Sequence, residues 1–282
     1  MLSYQHGFHA GNHADVLKHT ILCFVADYLL QKDKPFYCHD THGGRGLYNL
    51  QHPMAQKTGE YRDGIARVWG ATQPPALLQP YLAALRAFNA DGTLHYYAGS
   101  SLLVQAMARP QDRLVANELH PQEYLALRDN AAGRRNLRVT KEDGYAALKA
   151  ALPPKERRGV VLVDPSYELA ADDVAVVEAL REALKRFATG TYLVWYPVVE
   201  PQRAQKLVKM IAALPVQKLL QLELYVREPV AGEGGMAGSG MLVINPPWTL
   251  EDRMREALPW LVQQIAPECG SSSVTWLNNA DA

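Results

Sequence analysis

The sequence predicts an α/β protein built on a mostly parallel β-sheet, and three observations support that class. Apolar, strand-like runs recur along the chain, and helical segments separate most of them, which is typical of a parallel sheet covered on both faces. The 282 residues are 48% hydrophobic and 21% charged, which is enough apolar chain for one large domain. The link at 227–238, before the last apolar run, is rich in glycine instead of helical.

Apolar periodicity and capping residues place the first elements. A helix is predicted from 14 to 31, where apolar side chains repeat at helical spacing after Asn12. A strand that opens into a glycine-rich loop follows at 35–46. Further helices are predicted within 53–98 (the clearest at 74–89) and at 100–108, 121–131, 172–187 and 200–213.

Six further strands complete a predicted sheet of seven. They cover 113–119, 137–143, 159–164, 191–197, 218–226 and 240–245. The seventh strand is expected to run antiparallel to the sixth, because the link at 227–238 cannot form the crossover helix of a parallel return. The polar tail after Pro267 is expected to be partly loose.

Composition excludes several classes of protein. The formal net charge is +0, so no global basic field indicates a nucleic-acid partner. The three cysteines form no CxxC pair, which favours reduced thiols in a cytoplasmic protein, two of them in the core. No apolar run is long enough to span a membrane. The N-terminal histidines lack accompanying ligands at metal-binding spacing, so no metal is expected.

Two apolar strands run into a proline corner, and strand direction decides which corner carries chemistry. "GVVLVDPSYE" covers 159–168 and "GMLVINPPW" covers 240–248. Ligands of open α/β sheets bind outside the carboxyl ends of the parallel strands. Asp164 ends such a strand, whereas Asn245 ends the reversed one. We therefore predict that "DPSY" lies at the active edge and that "NPPW" is a structural turn.

Acidic residues follow three successive predicted strands beside the glycine-rich loop. Glu118 can accept hydrogen bonds from both hydroxyls of a ribose, and Asp143 can accept one from the exocyclic amine of an adenine. The loop at 40–46 lacks the lysine of a phosphate-binding loop, so S-adenosylmethionine fits this set better than NAD or ATP. The alternative is that these acids only cap the helices that follow them.

Several motifs resemble one methyltransferase family over essentially the whole chain. "DPSY" is similar to the [DNS]PP[YF] motif of amino-group methyltransferases. The blocks "MLSYQHGFHAGNHADVLKHT", "DTHGGRGLY", "YYAGS", "NELHP", "EDGY", "GTYLVWYPVV" and "SGMLVINPPW" resemble the large-subunit ribosomal RNA adenine-N6-methyltransferase J family. The N-terminal block makes the resemblance specific, because methyltransferases in general do not share it.

The resemblance implies a Rossmann-like class I S-adenosylmethionine-dependent methyltransferase. It assigns 1–50 and 99–282 to the methyltransferase domain, 1–13 to an N-terminal lid and 51–98 to an inserted helical subdomain. The implied partner is ribosomal RNA, protein-free or in an early assembly intermediate. The chain is expected to act as a monomer, without an obligate protein partner or a membrane.

The resemblance also assigns roles to individual residues. The cofactor-binding set is Lys18, His19, His42, Gly43, Ser100, Glu118, Asp143, Gly144 and Asp164. The catalytic set is Asp164, Pro165 and Tyr167, and the substrate-binding set is Tyr4, His6 and Tyr167. Two positions depart from the family pattern: Ser166 replaces the second proline of the motif, and Arg45 stands where the loop usually has a small residue.

The residues of the motif suggest how an adenine amino group is methylated. The Asp164 carboxylate and the Pro165 carbonyl can accept from its two N–H groups, and Tyr167 can stack on a base that has left its helix. Methylation of DNA adenine or of a protein amide remains an alternative. A catalytically idle nucleic-acid-binding module is a third, because Ser166 departs from the motif.

Overall fold

The computed structural model describes residues 5–230, 232 and 234–279. The strands are β1 (Tyr37–Asp40), β2 (Leu47–Asn49), β3 (Tyr96–Ala98), β4 (Arg113–Asn117), β5 (Leu137–Thr140), β6 (Gly159–Val163), β7 (Thr191–Val198), β8 (Lys218–Tyr225), β9 (Gly238–Ile244) and β10 (Ser271–Asn279). The helices are α1 (His13–Leu30), α2 (Pro53–Thr58), α3 (Ile65–Trp69), α4 (Gln79–Arg86), α5 (Ser100–Met107), α6 (Pro121–Asn130), α7 (Gly144–Ala151), α8 (Ala170–Arg186), α9 (Pro201–Ala212) and α10 (Leu250–Ile265).

The main sheet confirms the predicted α/β class. Its strand order is β10-β8-β9-β7-β6-β1-β4-β5. β5, β4, β1, β6 and β7 pair in parallel, so their carboxyl ends meet at one edge. β9 runs antiparallel to both β7 and β8, as predicted for the strand that follows the glycine-rich link. Among the described helices, none has the length and apolar character needed to cross a membrane.

The predicted count of seven strands is wrong, because the C-terminal tail adds an eighth. β10 pairs antiparallel with β8 along its length, from Ser271 opposite Tyr225 to Asn279 opposite Lys218. The tail was expected to be partly loose because it is polar. As an edge strand with most of its residues half-buried, β10 does not need the continuous apolar run that identifies a buried strand.

The first helix is buried between the sheet and the segment that follows β1. Asn12 caps α1 by accepting a hydrogen bond from the Asp15 backbone N–H at 3.0 Å, as expected. The helix packs against α4, α5 and β9, and its apolar residues share one core with Ile65, Leu82 and their neighbours. Its inward position allows polar side chains near its N-terminus to reach the carboxyl edge of the sheet.

The segment 51–98 contains α2, α3 and α4, and it ends in a strand that the sequence did not reveal. β3 pairs with β2 in a small antiparallel sheet. The Tyr97 hydroxyl of β3 hydrogen-bonds with His19 on α1 at 2.6 Å and with Tyr81 on α4 at 3.0 Å. The Ile65 N–H of α3 donates to the Gly11 carbonyl at 2.8 Å. The segment is therefore joined to α1 by hydrogen bonds as well as by apolar packing.

Candidate active site

A cavity of about 830 Å³ lies at the carboxyl edge of the parallel strands, and all the described residues that were predicted as site residues line it. They are His6, Lys18, His19, His42, Gly43, Ser100, Glu118, Asp143, Gly144, Asp164, Pro165 and Tyr167. Tyr4, the predicted lid aromatic, lies outside the described residues. The cavity has the size of a site for a cofactor and a small substrate group.

Asp164, directly after β6, is tied to α1 by a chain of charged side chains. The Lys18 ammonium donates to Asp164 Oδ2 at 2.6 Å and lies 2.9 Å from Asp15 Oδ1. Asp15 Oδ2 in turn pairs with His6 Nε2 at 2.8 Å and accepts from the Gly11 N–H at 2.8 Å. Lys18 was predicted to contact the cofactor; it lines the cavity, but its partners in the structure are two carboxylates.

Burial and the neighbouring charges shift the pKa values of Asp15, Lys18 and Asp164 in different directions. Burial raises the pKa of the Asp164 carboxyl, and Lys18 opposes that rise. Burial alone would also raise the pKa of Asp15, but His6 and Lys18 hold it well below its usual range. Although burial favours neutral Lys18, the two carboxylates raise its pKa overall. Asp15 and Lys18 therefore stay ionised at neutral pH, and Asp164 is a more basic carboxylate than an exposed one.

The corner after Asp164 places an aromatic ring on the cavity wall in an unusual backbone conformation. Tyr167 has φ +54°, which side-chain-bearing residues adopt at a cost of about 1–2 kcal/mol. Its hydroxyl donates to the Trp195 carbonyl of β7 at 2.7 Å. The two rings lie 6.0 Å apart with a tilt of 54°, so both border the space beside Asp164.

The glycine-rich loop after β1 anchors the acid that follows β4. The Gly44 N–H donates to Glu118 Oε2 at 2.9 Å, and the His120 N–H donates to Oε1 at 2.7 Å. Gly44 has φ +58°, and a Cβ there would lie 2.3 Å from the Tyr48 hydroxyl, so a larger residue would strain the main chain and displace the Tyr48 ring. The loop thus fixes the Glu118 carboxylate at the cavity wall, where its remaining lone pairs can accept from a ligand.

The acid after β5 caps a helix and also faces the cavity. Asp143 Oδ1 accepts from the N–H groups of Tyr145 and Ala146, both at 2.9 Å, at the start of α7. This is the capping role that the sequence left open as an alternative, and it does not remove Asp143 from the cavity wall. A Cβ on Gly144 would lie 2.0 Å from the Thr41 carbonyl, so only glycine lets α7 start this close to the loop.

Two of the predicted residues that line the cavity, Ser100 and His42, also hydrogen-bond to neighbouring side chains. Ser100, the first residue of α5, donates to Asp40 Oδ2 at 2.5 Å, and burial raises the pKa of Asp40 to about 6. His42 Nδ1 hydrogen-bonds with the Thr41 hydroxyl at 2.7 Å. Burial lowers the pKa of His42 to about 4 and that of His19 to about 3, so both imidazoles are neutral at neutral pH.

Comparison with known proteins matches almost the whole chain to one family. The model of the family described as "Ribosomal RNA large subunit methyltransferase D, RlmJ" matches residues 33–278. Two proteins named "Ribosomal RNA large subunit methyltransferase J", from Haemophilus influenzae and Escherichia coli, are each 48% identical to this chain. Each match covers 98% of this chain and 99% of the relative. The chain belongs to this family.

Family membership confirms the class of enzyme that the motifs indicated. The protein is a methyltransferase of the ribosomal RNA class, with S-adenosylmethionine as its methyl donor. A crystal structure of a Legionella pneumophila protein superposes with a TM-score of 0.88 at 35% identity, covering 95% of this chain and 98% of that one. The close superposition supports the arrangement of the sheet described above.

The cavity of the methyltransferase fits its cofactor by size and by its exposed polar groups. Ribose hydroxyls and an adenine amine need acceptors, and Glu118 and Asp143 present carboxylates. Tyr145 and Trp195 also line the cavity, and the Tyr145 hydroxyl and the Trp195 indole N–H are buried without a hydrogen-bond partner among the described residues. Buried polar groups rarely remain unpaired, so these two are suited to pair with a bound ligand. Across the described residues, no group of His, Cys, Asp or Glu is arranged to hold a metal ion.

Sequence reasoning missed several residues that shape the site of the methyltransferase. One signal for Asp15 was available in the sequence: it lies three positions before Lys18 on a mostly apolar helix, a spacing at which side chains can pair. Asp40 ended a predicted strand but received no role. Trp195 lies within a predicted strand, and it lines the cavity while half-buried. Arg203 comes from a distant helix and carried no local signal.

The family departure at Arg45 has a structural reason within the methyltransferase. The guanidinium turns away from the loop and pairs with both carboxylate oxygens of Glu123 on α6, at 3.0 and 2.6 Å. The Arg45 carbonyl accepts from the Asn130 side chain of α6 at 2.9 Å. Arg45 therefore holds α6 against the loop and leaves the glycine positions beside Glu118 unobstructed.

Proposed function

We propose that the protein transfers a methyl group from S-adenosylmethionine to the N6 amino group of one adenine in 23S ribosomal RNA, with the base turned out of its stack. One observation carries this proposal. Asp164, Pro165 and Tyr167 stand on the wall of the same cavity as Glu118 and Asp143, so an amino-group site and a nucleoside site adjoin each other.

The corner after β6 supplies the acceptors that an adenine amine needs. The lone pair of that nitrogen is delocalised into the ring, which makes it a poor nucleophile. With its two N–H groups donated to the Asp164 carboxylate and the Pro165 carbonyl, the nitrogen is oriented and acquires more tetrahedral character. S-adenosylmethionine supplies an electrophilic methyl group when bound. Glu118 and Asp143 would hold its ribose and its adenine.

Asp164 is also suited to take the proton that the methylated amine loses. Its raised pKa makes it a better base than an exposed carboxylate. Lys18, 2.6 Å away, stabilises the ionised form before the transfer. Tyr167 offers a stacking face beside Asp164, worth about 1–3 kcal/mol by comparison with other base–aromatic contacts. His6 connects the N-terminal segment to the same charged chain through Asp15.

Methyl transfer to separate substrates tests the proposal. The enzyme is incubated with labelled S-adenosylmethionine and, in parallel, with protein-free ribosomal RNA, DNA or ribosomal protein. We expect label only in the RNA, and mass spectrometry of its nucleosides should show N6-methyladenosine. Label in DNA or protein would replace the substrate, and binding without label would favour an idle module. Action in the cytoplasm as a monomer, without an obligate protein partner, stays a prediction.

A further inference from the structure

The corner that carries Asp164 is held by an arginine from a different helix. Arg203, in the first turn of α9, donates from Nη1 to the Tyr167 carbonyl at 3.2 Å and from Nη2 to the Leu169 carbonyl at 2.8 Å. These two carbonyls flank the turn that leads from the corner into α8. One rigid guanidinium therefore spans the main chain just after the residue with φ +54°.

A carboxylate on α8 fixes the orientation of that guanidinium. Asp173 Oδ2 accepts from Nε of Arg203, and Oδ1 accepts from Nη2, both at 2.9 Å. The Asp173 side chain is 12% exposed and the Arg203 side chain is 32% exposed, so the pair is shielded from most of the solvent. A two-point contact of this kind fixes the plane of the guanidinium and thereby aims its other N–H groups. Asp173 thus presets Arg203 toward the two carbonyls.

The sequence of the corner explains why an external support is useful. Ser166 leaves one main-chain rotation free that a proline would fix. Among the hydrogen bonds of the described residues, none uses the Ser166 N–H, so a proline would remove no hydrogen bond there. The phenol of Tyr167 is held by the Trp195 carbonyl, but that contact fixes the side chain, not the main chain that carries Asp164 and Pro165.

We propose that Arg203, oriented by Asp173, is a positioning residue that holds the main chain from Asp164 to Tyr167 in its reactive shape, in place of a proline at position 166. The proposal rests on the proposed use of this corner to bind the adenine amine. Arg203 also lines the cavity, so the competing interpretation is that it binds a phosphate of the RNA.

Steady-state kinetics separates positioning from phosphate binding. In R203A we expect kcat to fall about 10- to 100-fold, because small misplacements of reacting groups have effects of that size. KM for the RNA should stay within about twofold of the wild type, a bound chosen to exclude loss of a phosphate contact. R203K, which keeps the charge without the planar fork, should lose most of the same kcat, and D173N should lose less. K206A, an exposed lysine one turn further along α9, is the matched control.

A proline at position 166 tests the proposed equivalence directly. R203A is compared with the wild type, and the double variant R203A/S166P is compared with S166P. We expect kcat of the double variant to lie within about threefold of that of S166P, since coupled positions are non-additive. An equal loss in both backgrounds overturns the proposal. So does a rise in KM for the RNA with unchanged kcat, which would assign Arg203 to phosphate binding.

Hydrogen exchange provides a readout that does not depend on the reaction. The Leu169 N–H donates to Asp172 Oδ2 at 3.0 Å, and the Asp172 N–H donates to the Leu169 carbonyl at 3.1 Å. These two amides should exchange at least about tenfold faster in R203A than in the wild type or in K206A, since local opening sets exchange. Unchanged exchange overturns the proposal whatever the substrate is. If instead D164N retains full activity while R203A still loosens this segment, the proposed function fails and the positioning role of Arg203 stands.

Discussion

The two proline corners of this protein differ in which edge of the sheet they occupy. Both follow buried strands, and both contain a non-glycine residue with positive φ, Tyr167 at +54° and Asn245 at +52°. The corner of Tyr167 opens into the cavity at the carboxyl edge of the parallel strands. Trp248, in the other corner, is 80% exposed and does not line that cavity. Similar local sequence gains a different role because β9 is reversed.

The hydrogen bonds of the two corners also differ, and the difference matches their positions in the sheet. The Asn245 amide donates to the carbonyls of Ala188 and Gly190, both at 2.8 Å, so its polar group is used to close a loop. The Asp164 carboxylate instead meets a buried ammonium beside open space. One corner satisfies its own main chain, and the other keeps an acceptor available for a ligand.

The largest expected difference between the corners is in catalysis. Asp164→Asn exchanges an acceptor and base for an amide, so we expect kcat to fall about 10²–10⁴-fold. Asn245→Ala should leave kcat within about twofold, because the reversed strand carries it away from the cavity. Single-turnover methyl transfer to protein-free RNA measures both. Comparable losses in the two variants would mean that strand direction does not separate the corners.

The aromatic residues of the corners provide a second, smaller contrast. Tyr167→Ala should weaken binding of the target base by about 1–3 kcal/mol, since it removes a stacking face. Trp248→Ala removes a ring that is 80% exposed, so neither RNA affinity nor unfolding temperature should change appreciably. Affinity for a short hairpin that contains the target adenine, measured beside thermal melting, distinguishes them. A large affinity loss in the Trp248 variant would point to an RNA contact on the opposite edge.

The pH dependence of the reaction reports the protonation of Asp164. Its pKa lies above the ordinary 3.8 because of burial, and the carboxylate is the active form. Activity should therefore fall about tenfold per pH unit once the pH drops below that raised pKa. Lys18→Met removes the cation that opposes the rise, so the acid limb should move to higher pH. A limb that stays in place in this variant would assign it to another group.

A further expected effect is on the stability of the structural corner. Asn245→Ala loses two hydrogen bonds and places alanine at positive φ, which together cost about 2 kcal/mol of unfolding free energy. Asn245→Gly loses the same bonds but relieves the backbone, so it should be the milder change. Urea unfolding of both variants measures the difference. Equal destabilisation would show that the backbone conformation contributes nothing at this corner.

The sequence alone predicted the class of fold and three acids at one edge of the sheet, for a local reason. Strand ends at Glu118, Asp143 and Asp164 are recognisable one at a time, and parallel pairing brings them to one edge. β10 was missed because an edge strand carries only a weak apolar pattern. The links from Lys18 to Asp164 and from Arg203 to Tyr167 join distant parts of the chain, so their partners follow only from tertiary packing.

The hydrogen bond between Tyr97 and His19 has a consequence for engineering and for evolution. Residues 51–98 are continuous in sequence, which makes them an obvious segment to exchange between related enzymes. Yet this segment hydrogen-bonds through Tyr97 to His19 on α1, the helix that also carries Lys18, the partner of Asp164. Exchanging residues 51–98 without α1 would disturb the position of Lys18 beside Asp164. The segment and the helix should therefore be inherited, and exchanged, as one unit.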